Sequence, residues 1–375
     1  MKQLEILCHT TCFGAILLSF VSPLGTTQAA EPKPAIPESH KVLGVSRADC
    51  KKCHVSEVAA WEKTVHYLSA EQRLFKYEAN TKKYADALGV SADGLLESSA
   101  CSKCHGTVAE VAGVEKVISG VSCESCHGPS GGDDGWLNPH QSYGEGKKTR
   151  AEETPDHKAA RYAKIDAAGM LRSTHIYKLA QNCNSCHIVS DEKLIAAGHK
   201  ANSAAFDFVG WSEGEVKHNF FMDKATNSDA PTLWVAENPG IAEPVKQRRR
   251  IKLVLGTFAT LEAALRARAN ATNPAVIPTY GGMVAGANGK FAQMLATGNP
   301  QIAQIPGLIG PKIGLLFAPG ANDKKDYNDL ADQVAKLAEE FAAGADKANL
   351  AAVDAMTQTI QPHYSQQYIQ KHGKP

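Results

Sequence analysis

Cys123-Glu124-Ser125-Cys126-His127 is one of four copies of a single five-residue pattern, C-x-x-C-H, in this chain. The other copies are Cys50-Lys51-Lys52-Cys53-His54, Cys101-Ser102-Lys103-Cys104-His105 and Cys183-Asn184-Ser185-Cys186-His187. We number them the first to the fourth motif in chain order, so the copy quoted first is the third motif. Together they contain every cysteine that follows residue 29. The surrounding residues are therefore expected to fold about whatever the motifs bind.

The spacing within each motif matches the chemistry of covalent haem attachment. Two cysteines one helical turn apart can form thioether bonds with the vinyl groups of one porphyrin, and the adjacent histidine ligates its iron. A single C-x-x-C could instead be a zinc half-site, a redox dithiol or a local disulfide, and two zinc sites are arithmetically possible here. Chance predicts on the order of 0.01 copies of the full pattern in a chain of this composition. Four copies therefore favour four covalently bound haem c groups, with the proximal iron ligands His54, His105, His127 and His187.

Composition argues against several other classes of protein. The 375 residues are 43% hydrophobic and 21% charged, with a formal net charge of +1. This is an ordinary globular composition without the basic surplus of a nucleic-acid-binding domain. Ten cysteines are too few for a disulfide scaffold in a chain of this length. Composition therefore predicts no nucleic-acid partner, whereas the haem motifs predict redox partner proteins.

Residues 1–29 have the outline of a secretory signal peptide, with an uncharged apolar run over Phe13–Val21 and a small-residue end at Thr27-Gln28-Ala29. The apolar run is too short to span a bilayer, and no later segment approaches about 18 consecutive apolar residues. We therefore expect an exported, periplasmic protein without a transmembrane segment. Cys8 and Cys12 are expected to leave with the signal peptide.

After the predicted signal peptide, nine further histidines could supply the second axial ligand of each iron: His40, His66, His140, His157, His175, His199, His218, His363 and His372. A second imidazole gives a six-coordinate, low-potential iron suited to electron transfer. The histidines between residues 60 and 200 are the better candidates because they lie among the motifs. His40, His363 and His372 are expected to face solvent.

Two stretches beside the motifs carry a family resemblance. Trp61-Glu62-Lys63-Thr64-Val65-His66 follows the first motif, and the third motif lies within Gly120-Val121-Ser122-Cys123-Glu124-Ser125-Cys126-His127-Gly128-Pro129. These stretches, with the order of the motifs, resemble the tetrahaem cytochrome c-554 family, electron acceptors of hydroxylamine oxidation. The resemblance covers about residues 47–190. It implies crossed distal ligands: His140 opposite His54, His66 opposite His127 and His175 opposite His187.

The second haem, on His105, has an open sixth position in that family, so the resemblance implies an open site here. Two histidines depart from the family pattern. His175 stands eight residues before Cys183, farther than the family spacing, and His199 has no obvious counterpart. His199 is therefore a weaker candidate for the fourth haem, and either His199 or His218 could close the second.

The chain is predicted to be mainly α, with a Pro-rich leader over 30–46 and a tetrahaem cytochrome c domain over 47–225. In that domain short helices and long loops would surround the haems, and no strand is predicted. Residues 226–375 are predicted to form a helical bundle, because apolar residues recur at three- and four-residue steps over 251–265, 327–341 and 350–360. The Gly- and Pro-rich stretch between the first two stripes, 271–325, is expected to hold loops with room for one short helix.

Two clusters of basic residues could bind acidic groups. For Lys246-Gln247-Arg248-Arg249-Arg250-Ile251-Lys252 we favour a solvated helix end over a docking site for an acidic partner. Lys147-Lys148-Thr149-Arg150 lies nearer the motifs and could pair with haem propionates or simply face solvent.

The sequence supports three functional hypotheses. The first is a periplasmic carrier that relays electrons between an unidentified donor and acceptor, because four haem motifs lie within 150 residues of one another. The second is a haem oxidoreductase that acts on nitric oxide or hydroxylamine at an open iron on His105. The third is a docking subunit whose C-terminal helices bind a larger oxidoreductase.

Overall fold

The computed structural model describes residues 41–75, 79–91, 99–146, 148–149, 152–202, 206–216, 244–318 and 324–373. In these residues the chain is mainly helical, which confirms the predicted fold class at that level. The predicted signal peptide, leader residues 30–40, His40, His218, and Lys147 and Arg150 of the second basic cluster lie outside the described residues. So does the predicted domain boundary at 225/226, which stays a prediction.

The α-helices of the first half are α1 Gly44–Arg47, α2 Val55–Trp61, α3 Val65–Ala70, α4 Ala79–Leu88, α5 Ser99–His105, α6 Cys123–His127, α7 Leu137–His140, α8 Pro155–Ala167, α9 Ile176–His187, α10 Glu192–Ala196 and α11 Phe208–Glu213. Those of the second half are α12 Pro244–Asn270, α13 Ile277–Met294, α14 Pro300–Ile309, α15 Lys324–Gly344, α16 Asp354–Thr359 and α17 Gln366–His372. Short 3₁₀ turns lie at Cys50–Lys52, Leu295–Thr297, Gly310–Phe317, Ala345–Lys347 and Ala351–Val353, and a π-helical turn lies at Glu71–Phe75.

Three of the four motifs close a helix at their histidine. The second, third and fourth motifs end α5, α6 and α9, whereas the first forms a 3₁₀ turn just before α2. A capping box starts α6, because Ser122 and Ser125 each accept a bond from the other's backbone N–H. In all three helices the two cysteines therefore stand about one turn apart.

A β-hairpin follows the second motif, although the sequence was expected to contain no strand. Strand β1 spans Thr107–Val111, and strand β2, Val114–Ser119, pairs with it in antiparallel register. Ala112 and Gly113 form the turn, and both have positive φ, the conformation that two-residue hairpin turns require. The prediction failed because Ala112 is not a residue that signals a left-handed turn.

The largest apolar core lies where α12 packs against α9, α13 and α15. The predicted stripes over 251–265 and 327–341 lie in this core, with Phe258 and Phe341 both at most 2% exposed. Residues 350–360 form only a 3₁₀ turn and the short helix α16, less helix than the stripe predicted. Because α9 ends in the fourth motif, this core supports a motif directly.

The Gly- and Pro-rich stretch 271–325 is far more helical than predicted, since it contains α13 and α14. Pro278 and Pro300 lie in the first turns of these helices, where a missing N–H costs nothing. Glycine is also used for packing: a Cβ on Gly281 would lie 3.1 Å from the Leu316 carbonyl oxygen. The glycines and prolines of this stretch were therefore misinterpreted as loop signals.

The basic cluster at 246–252 is mostly buried, which corrects the expectation of a solvated helix end. Lys246 stays exposed, but Gln247, Arg248, Arg250 and Lys252 are between 4% and 8% exposed. Their partners come from distant segments: Arg250 with Asp354 (2.6 Å), Arg249 and Lys252 with Glu213 (2.9 and 3.5 Å), Arg248 with the Ser173 carbonyl (2.8 Å), and Gln247 with the Ala348 carbonyl (2.9 Å). The cluster therefore ties α12 to the rest of the chain.

Candidate haem sites

The four motifs contact one another in an order different from their order in the sequence. The Cys50 thiol of the first motif forms a hydrogen bond with the Cys123 thiol of the third. Asn182, beside the fourth motif, donates to the Ser125 and Cys126 carbonyls of the third, at 2.8 and 3.3 Å. The fourth and second motifs meet at the Cys186 and Cys104 thiols, and Cys186 Sγ lies 3.6 Å from the Lys103 carbonyl oxygen. Thr107, two residues after His105, also lies 3.0 Å from Ser125 between the hydroxyl oxygens, so the third motif contacts the first, the second and the fourth.

At the first motif, His54 faces His140. Their ring centroids lie 6.0 Å apart and the ring planes differ by 19°. His140 ends α7, and Trp136 at the start of that helix contacts its ring edge-on at 5.7 Å. Trp136 in turn donates to the Gly128 carbonyl next to the third motif, at 3.2 Å. The resemblance implied His140 as the distal ligand of His54; the structure brings the two rings together, and the ligand role stays a prediction.

At the fourth motif, the histidine nearest the His187 ring is His66, with the ring centroids 6.0 Å apart and the ring planes tilted by 58°. The resemblance implied His127 as the partner of His66, so the structure differs from that expectation. Burial lowers the pKa of His66 and lowers that of His187 to about 3. Both imidazoles are therefore neutral near pH 7, the form in which a ring nitrogen can ligate iron.

At the second motif, His105 lies opposite His199, with the ring centroids 6.3 Å apart and the ring planes differing by 61°. His199 Nδ1 lies 2.8 Å from the Lys200 carbonyl oxygen. Because a carbonyl oxygen only accepts, Nδ1 donates this bond. Burial lowers the pKa of His105 to about 4, so this ring is neutral too. The residue that the sequence made a weaker candidate thus lies opposite His105, the histidine for which the resemblance implied an open site.

The third motif shows the orienting bond of a proximal ligand. His127 Nδ1 donates to the Leu171 carbonyl oxygen over 2.6 Å, a bond that orients the ring. His175 follows Leu171 by four residues, and both of its ring nitrogens have a neighbouring polar group. The Arg172 N–H lies 3.3 Å from Nδ1, and Asp166 Oδ2 lies 3.5 Å from Nε2. The role of His175 as a distal ligand stays a prediction, since a ligand role would replace the contact with Asp166.

The residues present fit covalent haem c. Metal–imidazole bonds of about 2 Å put two ring centroids about 6 Å apart across one ion, which is the spacing of the three facing pairs. None of the eight motif cysteines lies in a disulfide, which haem attachment requires. Among the described residues, no three His, Cys, Asp or Glu side chains converge on a bare metal ion.

Sequence reasoning missed an aromatic cluster at the fourth motif. Phe206 stacks on the His187 ring at 4.5 Å, and Trp211 meets that ring edge-on at 4.9 Å. His363 stacks on Trp211 at 3.9 Å and is half-buried, although it was expected to face solvent. No spacing signal links residue 363 to a motif some 180 residues earlier, so only the fold could reveal this contact.

Glu124, inside the third motif, is another residue whose role the sequence did not indicate. Its carboxylate is 5% exposed and accepts the Leu43, Gly44 and Ser130 backbone N–H groups and the Ser130 hydroxyl. A buried carboxylate with this many donors is well compensated. It fastens the segment before the first motif onto the third.

These motif geometries on a mainly helical chain are those of a c-type cytochrome, and comparison with known proteins points to the same class. Residues 49–128 match the family described as cytochrome c554 and c-prime. A more particular match is cytochrome c-554 of Nitrosomonas europaea, 25% identical over 188 residues, which covers 48% of this chain and 69% of that protein. No solved structure gives a significant match. The chain therefore has a partial resemblance to this family, which indicates a multihaem c-type cytochrome involved in electron transfer.

Within the part of the chain that the structure describes, no helix combines the length and apolar character that a bilayer crossing requires.

Proposed function

We propose that this chain is an exported tetrahaem c-type cytochrome that transfers electrons between redox partner proteins. The observation that carries the proposal is the three facing histidine pairs, each spaced for one iron. Haem c, when bound, supplies one-electron iron chemistry whose potential depends on axial ligands, burial and charge. Two histidine ligands per iron favour electron transfer over activation of a small molecule.

Each haem would be held by the two cysteines and the histidine of one motif. In this proposal His140 completes the first site, His199 the second and His66 the fourth. His127 is the proximal ligand of the third site, oriented by its bond to the Leu171 carbonyl. This assignment keeps His54, His105 and His187 as proximal ligands.

The contacts between motifs support a relay. Thiol and backbone contacts join the first motif to the third, the third to the fourth and the fourth to the second. The third motif also contacts the second through Thr107 and Ser125, at 3.0 Å. Sites linked in this way form a connected group through which electrons could pass between a donor and an acceptor.

The catalytic alternative requires an open iron position at His105. His199 lies where a sixth ligand would bind, 6.3 Å from His105 between ring centroids. This geometry favours the carrier over an enzyme that acts on nitric oxide or hydroxylamine. The docking alternative gives the C-terminal helices a partner, but α12 already packs against α9, with Tyr177 donating to Glu262 over 2.7 Å.

The test is a haem count with a spin-state measurement on the purified holoprotein. A pyridine haemochrome assay is expected to give four haems per chain, and low-temperature electron spin resonance to give low-spin signals at the second site. His199→Ala should then convert about one iron in four to high spin. His157→Ala is the matched control, because its ring is bonded to Glu153 over 2.7 Å and lies outside the facing pairs.

Fewer than four haems would refute the tetrahaem assignment. A high-spin iron in the unmodified protein that His199→Ala leaves unchanged would favour the catalytic alternative. Mass determination of the mature N-terminus tests export, which predicts loss of residues 1–29.

A further inference from the structure

Three segments that are far apart in the sequence meet at the carboxylate of Glu215. Its Oε1 accepts the Val65 N–H over 3.1 Å, and its Oε2 accepts the Ser365 N–H over 2.8 Å. Glu215 is only 8% exposed. Each of the two donors lies 150 residues from it along the chain. A buried carboxylate with both oxygens bonded to distant backbone groups is a clamp between those segments.

The first of these bonds acts on the helix that carries His66. Val65 is the first residue of α3, and N–H groups in a first turn have no partner within the helix. Thr64 accepts the Tyr67 N–H over 3.2 Å, and Glu215 accepts the Val65 N–H. Together they fix the turn that orients the His66 ring.

The second bond acts on the surroundings of His187, because it holds Ser365, two residues after His363. Backbone bonds fix the same segment. The Glu215 N–H donates to the His363 carbonyl over 3.0 Å, and the His363 N–H donates to the Gly210 carbonyl over 2.8 Å. A Cβ at Gly210 would lie 2.6 Å from the Gln361 carbonyl oxygen, so the two segments lie backbone against backbone. The His363 ring then stacks on Trp211, whose edge meets the His187 ring.

We propose that Glu215 is a positioning residue for the His66–His187 pair, because one clamp holds the surroundings of both rings. The inference rests on the proposed function, in which these two rings bind the fourth haem iron. A second consequence follows from charge: a nearby carboxylate stabilises the oxidised iron and lowers the reduction potential of that centre.

Two substitutions in the full-length holoprotein break the clamp at opposite ends. Glu215→Gln removes the charge and leaves only one oxygen to accept two N–H groups. Ser365→Pro removes one N–H donor, and the φ of −63° at residue 365 suits proline. Ser365→Ala is the matched control: it retains the N–H that Glu215 accepts and loses only the hydroxyl that accepts the Tyr368 N–H.

Electron spin resonance and a spectroscopic redox titration are the readouts. Glu215→Gln and Ser365→Pro should each change the low-spin signal of one centre, and Glu215→Gln should raise the potential of that centre. Ser365→Ala should leave both unchanged. Asp354→Asn, which breaks the ion pair with Arg250 away from the motifs, controls for general destabilisation and should not move either readout.

His66→Ala separates failure of the clamp from failure of the proposed ligand pair. If His66→Ala alters one centre while Glu215→Gln and Ser365→Pro alter none, the clamp is wrong and the pair stands. If His66→Ala leaves every centre unchanged, the pair is wrong and the clamp falls with it. If Asp354→Asn matches the effect of Glu215→Gln, the effect is only structural and the positioning role is refuted.

Discussion

Glu153→Gln is expected to remove a stabilising ion pair whose contribution depends on pH. The Glu153 carboxylate is bound by Arg161 over 2.7 and 2.6 Å and by His157 over 2.7 Å. The side chains of Glu153 and Arg161 are 2% and 4% exposed, so solvent screens this pair little. Arg161 also lies over the ring of Tyr143, 5.1 Å from its centroid, and Tyr143 follows His140 by three residues.

The magnitude follows from the pKa. The hydrogen bonds from Arg161, with those from His157 and the charges of both, lower the pKa of Glu153 from 4.5 to about 2. A carboxyl pKa that is depressed in the folded state contributes stability above the unfolded value, and that contribution is lost as pH falls through the folded value. The pH-dependent contribution of Glu153 to the unfolding free energy is therefore at most about 3 kcal/mol at pH 7, about 1 kcal/mol at pH 3 and below about 0.5 kcal/mol at pH 2.

Urea unfolding of the holoprotein, followed by circular dichroism at several pH values, measures this. The difference in unfolding free energy between the original chain and Glu153→Gln should shrink by about 2 kcal/mol between pH 7 and pH 3. Glu152→Gln is the matched control, because this neighbouring glutamate is exposed and bonds only Thr149 among the contacts described. A difference that stays constant with pH, or an equal change in Glu152→Gln, would refute the reasoning.

Three further predictions concern the core and the first site. Tyr177→Phe should lower the unfolding free energy by about 1–2 kcal/mol, because its hydroxyl donates to the buried Glu262 carboxylate; an unchanged urea midpoint would contradict this. Phe258→Ala should cost about 3–5 kcal/mol, since Phe258 is fully buried, whereas Leu295→Ala, at a position 44% exposed, should cost less than about 0.5 kcal/mol; equal losses would count against the core assignment. His140→Ala should make one iron high-spin at an unchanged haem count, and an unaltered spin resonance spectrum would rule out the proposed pairing with His54.

The attachment residues could be predicted from sequence, whereas the pairing of imidazoles could not. The C-x-x-C-H motif specifies its chemistry locally, because thiols and proximal histidine lie within five residues. A distal histidine is set by how helices pack: α3 brings His66 to His187, and the loop after α10 brings His199 to His105. Position relative to the motifs narrowed the candidates to a few histidines but did not indicate which ring faces which.

Burial of charge was the second feature that sequence patterns misjudged. Arg250 and Lys252 belong to a basic run that resembles a solvated helix end. Their acidic partners, Asp354 and Glu213, lie in other helices, so nothing local indicates the ion pairs. The apolar stripe of α12 was predictable because apolar residues recur at three- and four-residue steps within one continuous segment.

The bonds of Glu215 also bear on when the fourth site forms during folding. The bonds of the third motif close shorter loops: Ser130 is six residues from Glu124, Leu171 is 44 residues from His127, and Leu43 is 81 residues from Glu124. Closing each 150-residue loop to Glu215 costs more chain entropy, and contacts of long sequence separation slow folding. The environment of the third motif should therefore be native early, while the His66–His187 environment becomes native only after residue 365 has docked.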